Sequence, residues 1–153
     1  MTLARIGFTG TRNADAITIA QKNWLQEFLG EVEEKYEVHH GGCTGGDELC
    51  HWLALGYDHE VVVHPPTNER FVMKKSTWDR PNVTVLQAYP YLERDRHIVD
   101  ACAALLALPD GPYRAGSGTW YTIGQAIAAK KTVAICHPDG ALEFPGSNIA
   151  GVV

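Results

Sequence analysis

Short apolar runs alternate with longer amphipathic stretches over most of the chain. Apolar runs of a few residues are typical of buried strands, whereas apolar residues that repeat every three or four positions are typical of helices. We predict strands at 3–8, 37–40, 60–64, 83–87, 103–108 and 132–136, and helices at 15–35, 47–55, 91–101 and 120–130. Residues 67–82 show no clear period, and residues 137–153 are rich in Pro and Gly, which predicts a long loop and an irregular tail.

The order of these elements predicts the fold class. Strands that alternate with helices, and that are apolar along their whole length, are typical of a parallel sheet covered on both faces. We therefore predict an α/β fold of the Rossmann-like, doubly wound type, with a mainly parallel sheet and helices on both faces. A chain of 153 residues is long enough to bury one core, so we predict a single domain over 1–153, with the irregular tail at about 137–153.

Composition and charge restrict the classes of partner. The formal net charge is −5 and basic residues are interspersed with acids, so nucleic acid, which usually requires a basic stripe, is not an expected partner. No apolar run is long enough to cross a bilayer, and the first residues resemble the start of a strand rather than a signal or transit peptide.

Cysteine and histidine spacing predicts the redox state and the metal content. Cys43, Cys50, Cys102 and Cys136 are widely spaced, which predicts reduced thiols and a cytoplasmic location. Neither the cysteines nor the histidines have the spacing of a known metal site, so we expect no metal and no cofactor.

Three glycine-rich loops, at 7–12, 41–47 and 115–119, each follow a predicted strand and precede a predicted helix. The carboxyl ends of parallel strands meet at one edge of the sheet, where the following helices present free N–H groups. Because glycine also lets the backbone approach a phosphate closely, we predict that the loops bind a small nucleotide-like ligand. The predicted ligand-binding residues are Gly10, Thr11 and Arg12 in the first loop, Gly41, Gly42, Gly45 and Asp47 in the second, and Gly116, Ser117, Gly118 and Thr119 in the third.

Several of these residues have a second interpretation. The glycines also fit tight turns that bind nothing, and Arg12 fits either a phosphate partner or an ordinary surface arginine. Asp47 fits a helix cap or an acceptor for a ribose hydroxyl, and Ser117 and Thr119 fit helix capping as well as phosphate binding. No loop matches a Walker A motif or the full dinucleotide fingerprint, so the ligand is not restricted to ATP or NAD.

The segment from residue 91 to residue 109 resembles a known family. Glu93-Arg94-Asp95-Arg96-His97-Ile98 precedes an apolar strand that ends in Leu108-Pro109. This is similar to the Lonely Guy (LOG) family, in which a Glu-Arg-x-x-x-Met helix leads into a strand ending in Leu-Pro. The first two loops are similar to the Gly-x-x-Gly-x-Arg and Gly-Gly-x-x-Gly-x-Asp motifs of the wider SLOG superfamily, which includes the Smf/DprA DNA-processing proteins.

The resemblance covers residues 3–136 and implies a Rossmann-like fold that binds nucleotides or their derivatives, as a homodimer or larger homo-oligomer. In LOG enzymes the reaction is hydrolysis of the N-glycosidic bond of a nucleoside monophosphate. The resemblance implies a catalytic role for Arg94, with Glu93 beside it, and phosphate binding by Gly118 and Thr119. The family's catalytic glutamate falls on Thr122, which has no carboxylate.

Hydrolysis would therefore need another carboxylate, and Asp47, Glu93, Asp95 and Asp110 are the candidates. The leading hypothesis is a nucleotide-binding protein that acts on a nucleoside monophosphate or a related phosphoribosyl compound, with hydrolysis of the N-glycosidic bond as the candidate reaction. A second is a non-catalytic sensor, carrier or sequestering protein for a nucleotide derivative, and a third is an accessory factor for single-stranded DNA.

Overall fold

A single sheet organises the residues that the computed structural model describes, which are 2–145. Its seven strands lie in the order β4-β3-β2-β1-β5-β6-β7, and every adjacent pair is parallel except β6 with β7. The strands are β1 Ala4–Gly10, β2 Tyr36–His40, β3 Glu60–Val63, β4 Val83–Val85, β5 Ala104–Leu108, β6 Thr132–Cys136 and β7 Leu142–Glu143. The helices are α1 Ile19–Gly30, α2 Gly46–Gly56, α3 Tyr91–Ala101 and α4 Gly118–Ala128.

The two faces of the sheet carry separate hydrophobic cores. Successive residues of a strand point to opposite faces. Leu106 and Leu108 of β5 accordingly pack in the core that α1 and α2 cover, whereas Leu105 and Ala107 pack in the core that includes residues of α3 and α4. Helices on both faces of a mainly parallel sheet confirm the predicted doubly wound α/β fold.

The strand order reverses between β1 and β5. From β1 the chain first builds β2, β3 and β4 on one side, and then returns to add β5 and β6 on the other. The loops that follow β1 and β5 therefore leave the sheet in opposite directions and open a crevice between them. In open α/β sheets ligands bind in this crevice.

The first helix is shorter than its predicted range of 15–35. Thr18 is its N-cap: the Thr18 hydroxyl accepts a hydrogen bond from the Gln21 amide, and the Gln21 side chain accepts one from the Thr18 amide. This reciprocal capping box fixes the helix start at Ile19, and a short 3-10 turn over Ala14–Ala16 takes up the preceding residues.

The predicted irregular tail is wrong for part of its length. Leu142–Glu143 pairs antiparallel with the end of β6 and adds an edge strand to the sheet. Residues 146–153 of the predicted tail lie outside the described residues. Within 2–145, no helix has the length and apolar character needed to span a membrane.

Candidate ligand-binding site

A cleft of about 580 Å³ opens at the carboxyl ends of β1 and β5, where the strand order reverses. Its walls come from the first loop, the segment between β5 and α4, and the start of α3, with a smaller part of the second loop. The predicted site residues that line it are Gly10, Thr11, Arg12, Gly41, Asp47, Arg94, Gly116, Ser117, Gly118 and Thr119. Gly42, Gly45 and Glu93 do not line it.

The glycines of the third loop face open space. A Cβ placed on Gly116 or Gly118 would meet no atom within 4 Å. Gly116 has a φ of +85°, a conformation that favours glycine, whereas nothing in the backbone or the packing of the described residues requires glycine at position 118. The turn interpretation therefore accounts for Gly116 and leaves Gly118 without a structural reason.

The start of α4 presents free backbone donors to the cleft. Ser117 is the N-cap, and its hydroxyl accepts a hydrogen bond from the Trp120 amide at 3.3 Å, so this hydroxyl has the capping role. Within residues 2–145, the amides of Gly118 and Thr119 have no protein acceptor. Two free amides at a helix N-terminus favour an anion there.

The second loop is closed against the rest of the protein. The amide of Gly42 donates to His40, that of Cys43 to Asp47 and that of Thr44 to the Phe71 carbonyl. The prediction of free N–H groups is wrong for these positions, because protein acceptors already take them. The main chain of Cys43 also pairs antiparallel with that of Val72, which holds the predicted long loop (67–82) against the second loop.

Arg12 supplies a cation at the rim of the cleft. Its guanidinium carbon lies 4.2 Å from the ring centre of Tyr91 and 5.0 Å from that of Phe71. No carboxylate in the described part of the chain forms an ion pair with it. A half-buried guanidinium held by two aromatic rings and lacking an anion is suited to bind one.

Arg94 lies on the floor of the cleft and is bound on several sides. It is only 5% exposed; its Nε donates to Asp95 Oδ1 at 2.7 Å, and its Nη1 donates to the carbonyls of Gly41 and His64. Glu93, predicted beside it, is half-buried and lies 3.8 Å from His97 instead. The carboxylate that orients Arg94 is therefore Asp95.

Asp47 is a buried carboxylate that also lines the cleft. The N-cap of α2 is Gly45, so the simple capping interpretation of Asp47 is wrong; instead its Oδ2 accepts the Cys43 amide at 3.2 Å. Burial raises the pKa of Asp47 to about 6, although the charge of Arg94 acts in the opposite direction.

Asp95 is the second buried carboxylate of the floor. Burial raises its pKa, opposed by Arg94 and by hydrogen bonding from Thr122. The Thr122 hydroxyl also lies 2.9 Å from the Gly118 carbonyl. Because a hydroxyl has one hydrogen, it donates either to Asp95 or to this carbonyl. The sequence offers Asp95 as one of four candidate carboxylates and does not single it out. Its contact with Thr122 depends on how α3 packs against α4, which the sequence does not show.

Asp110 joins the two sides of the crevice. It accepts a hydrogen bond from the Thr11 hydroxyl at 2.9 Å and an ion-paired one from Arg114 at 2.6 Å. Arg114 lowers the pKa of this carboxyl, so Asp110 is held ionised. Its position directly after a buried strand was the sequence signal for a residue at this edge.

Two buried histidines, His40 and His51, connect the second loop to Thr77 by hydrogen bonds. Since His40 Nδ1 accepts the Gly42 amide, its Nε2 carries the proton and donates to His51 Nδ1 at 2.9 Å. His51 Nε2 then donates to the Thr77 hydroxyl at 2.9 Å. Burial lowers the pKa of both histidines, which keeps this chain of hydrogen bonds neutral. No group of His, Cys, Asp and Glu in residues 2–145 is arranged to hold a metal ion.

Solved structures share this architecture. A molybdenum cofactor binding protein from the phototrophic bacterium Rippkaea orientalis superimposes with a TM-score of 0.67 at 17% identity, covering 90% of this chain and 78% of that one. The molybdenum cofactor carrier protein of Chlamydomonas reinhardtii gives 0.62 at 17%, with 88% and 76% covered. DNA processing protein A (DprA) of Streptococcus pneumoniae gives 0.61 at 16%, with 87% of this chain and 50% of that one covered.

The chain shares the fold of these proteins. The resemblance noted in the sequence implied a Rossmann-like fold, and the shared architecture confirms that fold. No family model and no curated protein matches the sequence. The strand order places the cleft at the crevice between β1 and β5, but the chemistry of the site has to be argued from its own residues.

Proposed function

We propose that this protein binds a small phosphorylated ligand of the nucleotide class in the cleft between β1 and β5. The phosphate would lie at the N-terminus of α4, with Arg12 as its charged partner. The observation that carries the proposal is the open space around Gly118, next to two amides without a protein acceptor. A glycine without a structural reason, beside free donors, is suited to a ligand that approaches the backbone.

Binding without turnover is the function that the residues support best. Thr122 stands where the resemblance would place a catalytic glutamate, and Arg94 is engaged by protein acceptors. Two of the similar structures are named as a cofactor-binding protein and a cofactor carrier, which supports a sensor, carrier or sequestering role.

The test compares Gly118→Ala with Gly124→Ala. Both glycines lie in α4 and a Cβ on either meets no atom within 4 Å, but only Gly118 lines the cleft. Calorimetric titration with inorganic phosphate and a panel of nucleoside monophosphates would measure Kd. We expect Gly118→Ala to weaken binding at least about tenfold and Gly124→Ala to leave it within about twofold. Equal affinities for the two variants would exclude this phosphate position.

Hydrolysis is a second candidate, and one contact favours it. The Asp95 carboxylate lies beside Thr122 on the floor of the cleft, so a carboxylate is present although it comes from α3. In this reaction water would add across the bond between the sugar and the base, releasing the free base and ribose 5-phosphate. The carboxylate would stabilise the positive charge that develops on the sugar.

Asp95→Asn tests this candidate, with Asp100→Asn as a control at an exposed position of the same helix. If the protein is a hydrolase, chromatography would detect free base with the wild type and with Asp100→Asn, and almost none with Asp95→Asn. No base released by the wild type from any nucleoside monophosphate would leave binding as the function.

We also propose that the partner is a small molecule rather than nucleic acid. The net charge is negative, and Lys75, one of the basic residues between Arg70 and Arg80, is already paired with Glu69 at 2.8 Å. DprA from Helicobacter pylori is described as binding single-stranded DNA and has a similar structure, so the alternative has a direct test. A complex with single-stranded DNA that survives physiological salt in a mobility-shift assay would contradict our proposal.

Location and assembly complete the proposal. We propose that residues 1–153 act as one ligand-binding domain in the cytoplasm and that the protein forms a homodimer or a larger homo-oligomer. The four cysteines are free and buried, which supports a reducing compartment. Light scattering would measure the oligomeric state, and a monomeric mass at micromolar concentration would contradict the homodimer.

A further inference from the structure

We propose that Asp47 recognises a sugar hydroxyl of the ligand, so that the cleft binds phosphosugars in one orientation, with the phosphate at α4 and the hydroxyls on the floor. This inference rests on the proposed function and assigns the part of the ligand that is not phosphate. It is carried by the hydrogen bonding of Asp47, by the two carboxylates of the floor and by the backbone donors at the start of α4.

Asp47 has hydrogen-bonding capacity left over. It is 7% exposed and lines the cleft, and one of its oxygens, Oδ2, accepts the Cys43 amide. Within residues 2–145, the other oxygen, Oδ1, accepts no hydrogen bond and is not one of the fully buried polar atoms without a partner, so it is open to the cleft. A donor on a ligand can therefore reach it without displacing a protein contact.

The floor of the cleft carries two buried carboxylates. Asp47 and Asp95 lie beside Arg94, and the charge of Arg12 also acts on both. Glycine at position 41 leaves room for this arrangement, because a Cβ there would overlap the Arg94 guanidinium and lie 2.9 Å from Asp47 Oδ2. A phosphate on this floor would meet two carboxylates, whereas an uncharged hydrogen-bond donor would meet no such repulsion.

The start of α4 has the complementary character. In the described residues the amides of Gly118 and Thr119 have no protein acceptor and can donate to an anion, and Arg12 at the rim supplies a cation. A ligand with one phosphate and several hydroxyls therefore has one favourable orientation. A hydroxyl suits Asp47 better than an amino group does, because a hydroxyl can donate to the ionised carboxylate and accept from the protonated one.

The experiment uses two phosphate esters with the same number of carbons, ribose 5-phosphate and n-pentyl phosphate. Both carry the same charged group, and only the first carries hydroxyls. Calorimetric titration would measure Kd for both esters and for inorganic phosphate, with the wild type, Asp47→Asn and Glu48→Gln. Glu48→Gln removes the same charge from the neighbouring residue of α2, which does not line the cleft.

We expect the wild type and Glu48→Gln to prefer ribose 5-phosphate about tenfold, as one hydrogen bond to a charged acceptor would give. In Asp47→Asn the preference should fall below about twofold, while the affinity for inorganic phosphate stays within about twofold. Wild-type protein that binds the two esters equally, or a preference that persists in Asp47→Asn, would overturn the assignment of Asp47.

The outcomes also separate this inference from the proposed function. Binding of inorganic phosphate that Gly118→Ala weakens, together with equal affinities for the two esters, would keep the phosphate site and remove the hydroxyl site. Absence of binding for inorganic phosphate and for both esters would overturn both proposals.

Discussion

Gly45 packs directly against the main-chain carbonyl of Thr11, which brings the second loop into contact with the first. The Gly46 amide donates to the same carbonyl at 2.8 Å. A Cβ on Gly45 would overlap the Thr11 and Arg12 carbonyl groups, so this glycine is required by the contact between the loops. The first loop, which carries Arg12, is thus supported by a second loop whose amides at residues 42–44 are already taken by protein acceptors.

Alanine substitutions at Gly45 and Gly116 compare a glycine that the contact between the loops requires with one that only a positive φ requires. Both residues have positive φ, +81° and +85°, but only Gly45 has protein atoms where the Cβ would lie. We expect Gly116→Ala to lower the free energy of unfolding by about 1 kcal/mol, the cost of a positive φ for alanine. Gly45→Ala should cost at least about 2 kcal/mol more, because the loops must separate and because the ψ of −123° at Gly45 lies outside the left-handed region that alanine can adopt. Urea denaturation would measure both, and similar losses would contradict the contact described here.

Gln21 is a buried amide that joins α1 to the ends of two strands. Its Nε2 donates to the carbonyls of Pro109 at 2.8 Å and Cys136 at 2.9 Å. Gln21→Met keeps the shape of the side chain but leaves both carbonyls without a donor and the Thr18 amide of the capping box without its acceptor, so we expect a loss of about 2–4 kcal/mol in the free energy of unfolding. Gln26→Met, at an exposed position of the same helix, should change it by less than about 0.5 kcal/mol.

That pair of variants is compared in urea at pH 7, with the midpoint and the slope of the transition analysed separately. A loss below about 1 kcal/mol for Gln21→Met would mean that water reaches these carbonyls in place of the amide. The expected result would show that Gln21 stabilises the backbone just after β5, next to the cleft.

Neutral buried histidines make the stability of the protein sensitive to acid. The pKa of His39, His40, His51 and His64 is lowered by burial, that of His64 to about 3. Below their ordinary value of about 6.5 the unfolded chain takes up protons that the folded protein does not. The stability they support is complete above that pH and is lost as the pH falls from there towards each folded pKa.

His51→Gln tests this relationship, because glutamine can accept from His40 and donate to Thr77 in the same way. Removing one such histidine should make the loss of stability between pH 6.5 and pH 5 shallower, by up to about 1.4 kcal/mol per pH unit. Asp47 and Asp95, whose pKa values are raised, change stability in the opposite direction and are present in both proteins. Identical slopes in denaturation measured across this range would show that the histidines are not the cause.

Ligand selection should also depend on pH. With its pKa raised to about 6 by burial, Asp47 is protonated below that pH and ionised above it. The preference for ribose 5-phosphate over n-pentyl phosphate should therefore increase as the pH rises from 5 to 7, with a midpoint near 6. The ratio of the two affinities isolates Asp47, because both esters carry the same phosphate. In Asp47→Asn the ratio should be constant, and a change that persists in this variant would assign the titration to another group.

The sequence was informative about the fold and about the edge of the sheet where the loops meet. Alternation of apolar runs with amphipathic stretches requires only local information, and the strand ends place the loops together. It did not distinguish Gly118, which faces open space, from Gly45, which packs on Thr11, because that difference depends on atoms far apart in the chain. The pairing of Arg94 with Asp95 rather than Glu93 is also set by the buried side of α3.

The two aromatic rings beside Arg12 affect the entropy of binding. An arginine on an open surface loses the freedom of several torsions when it binds an anion, and immobilising such a side chain costs about 0.5–1.5 kcal/mol. The Arg12 guanidinium is already held against Tyr91 and Phe71 before any ligand arrives. Much of this entropic cost is therefore met during folding, and more of the attraction between Arg12 and an anion remains as affinity.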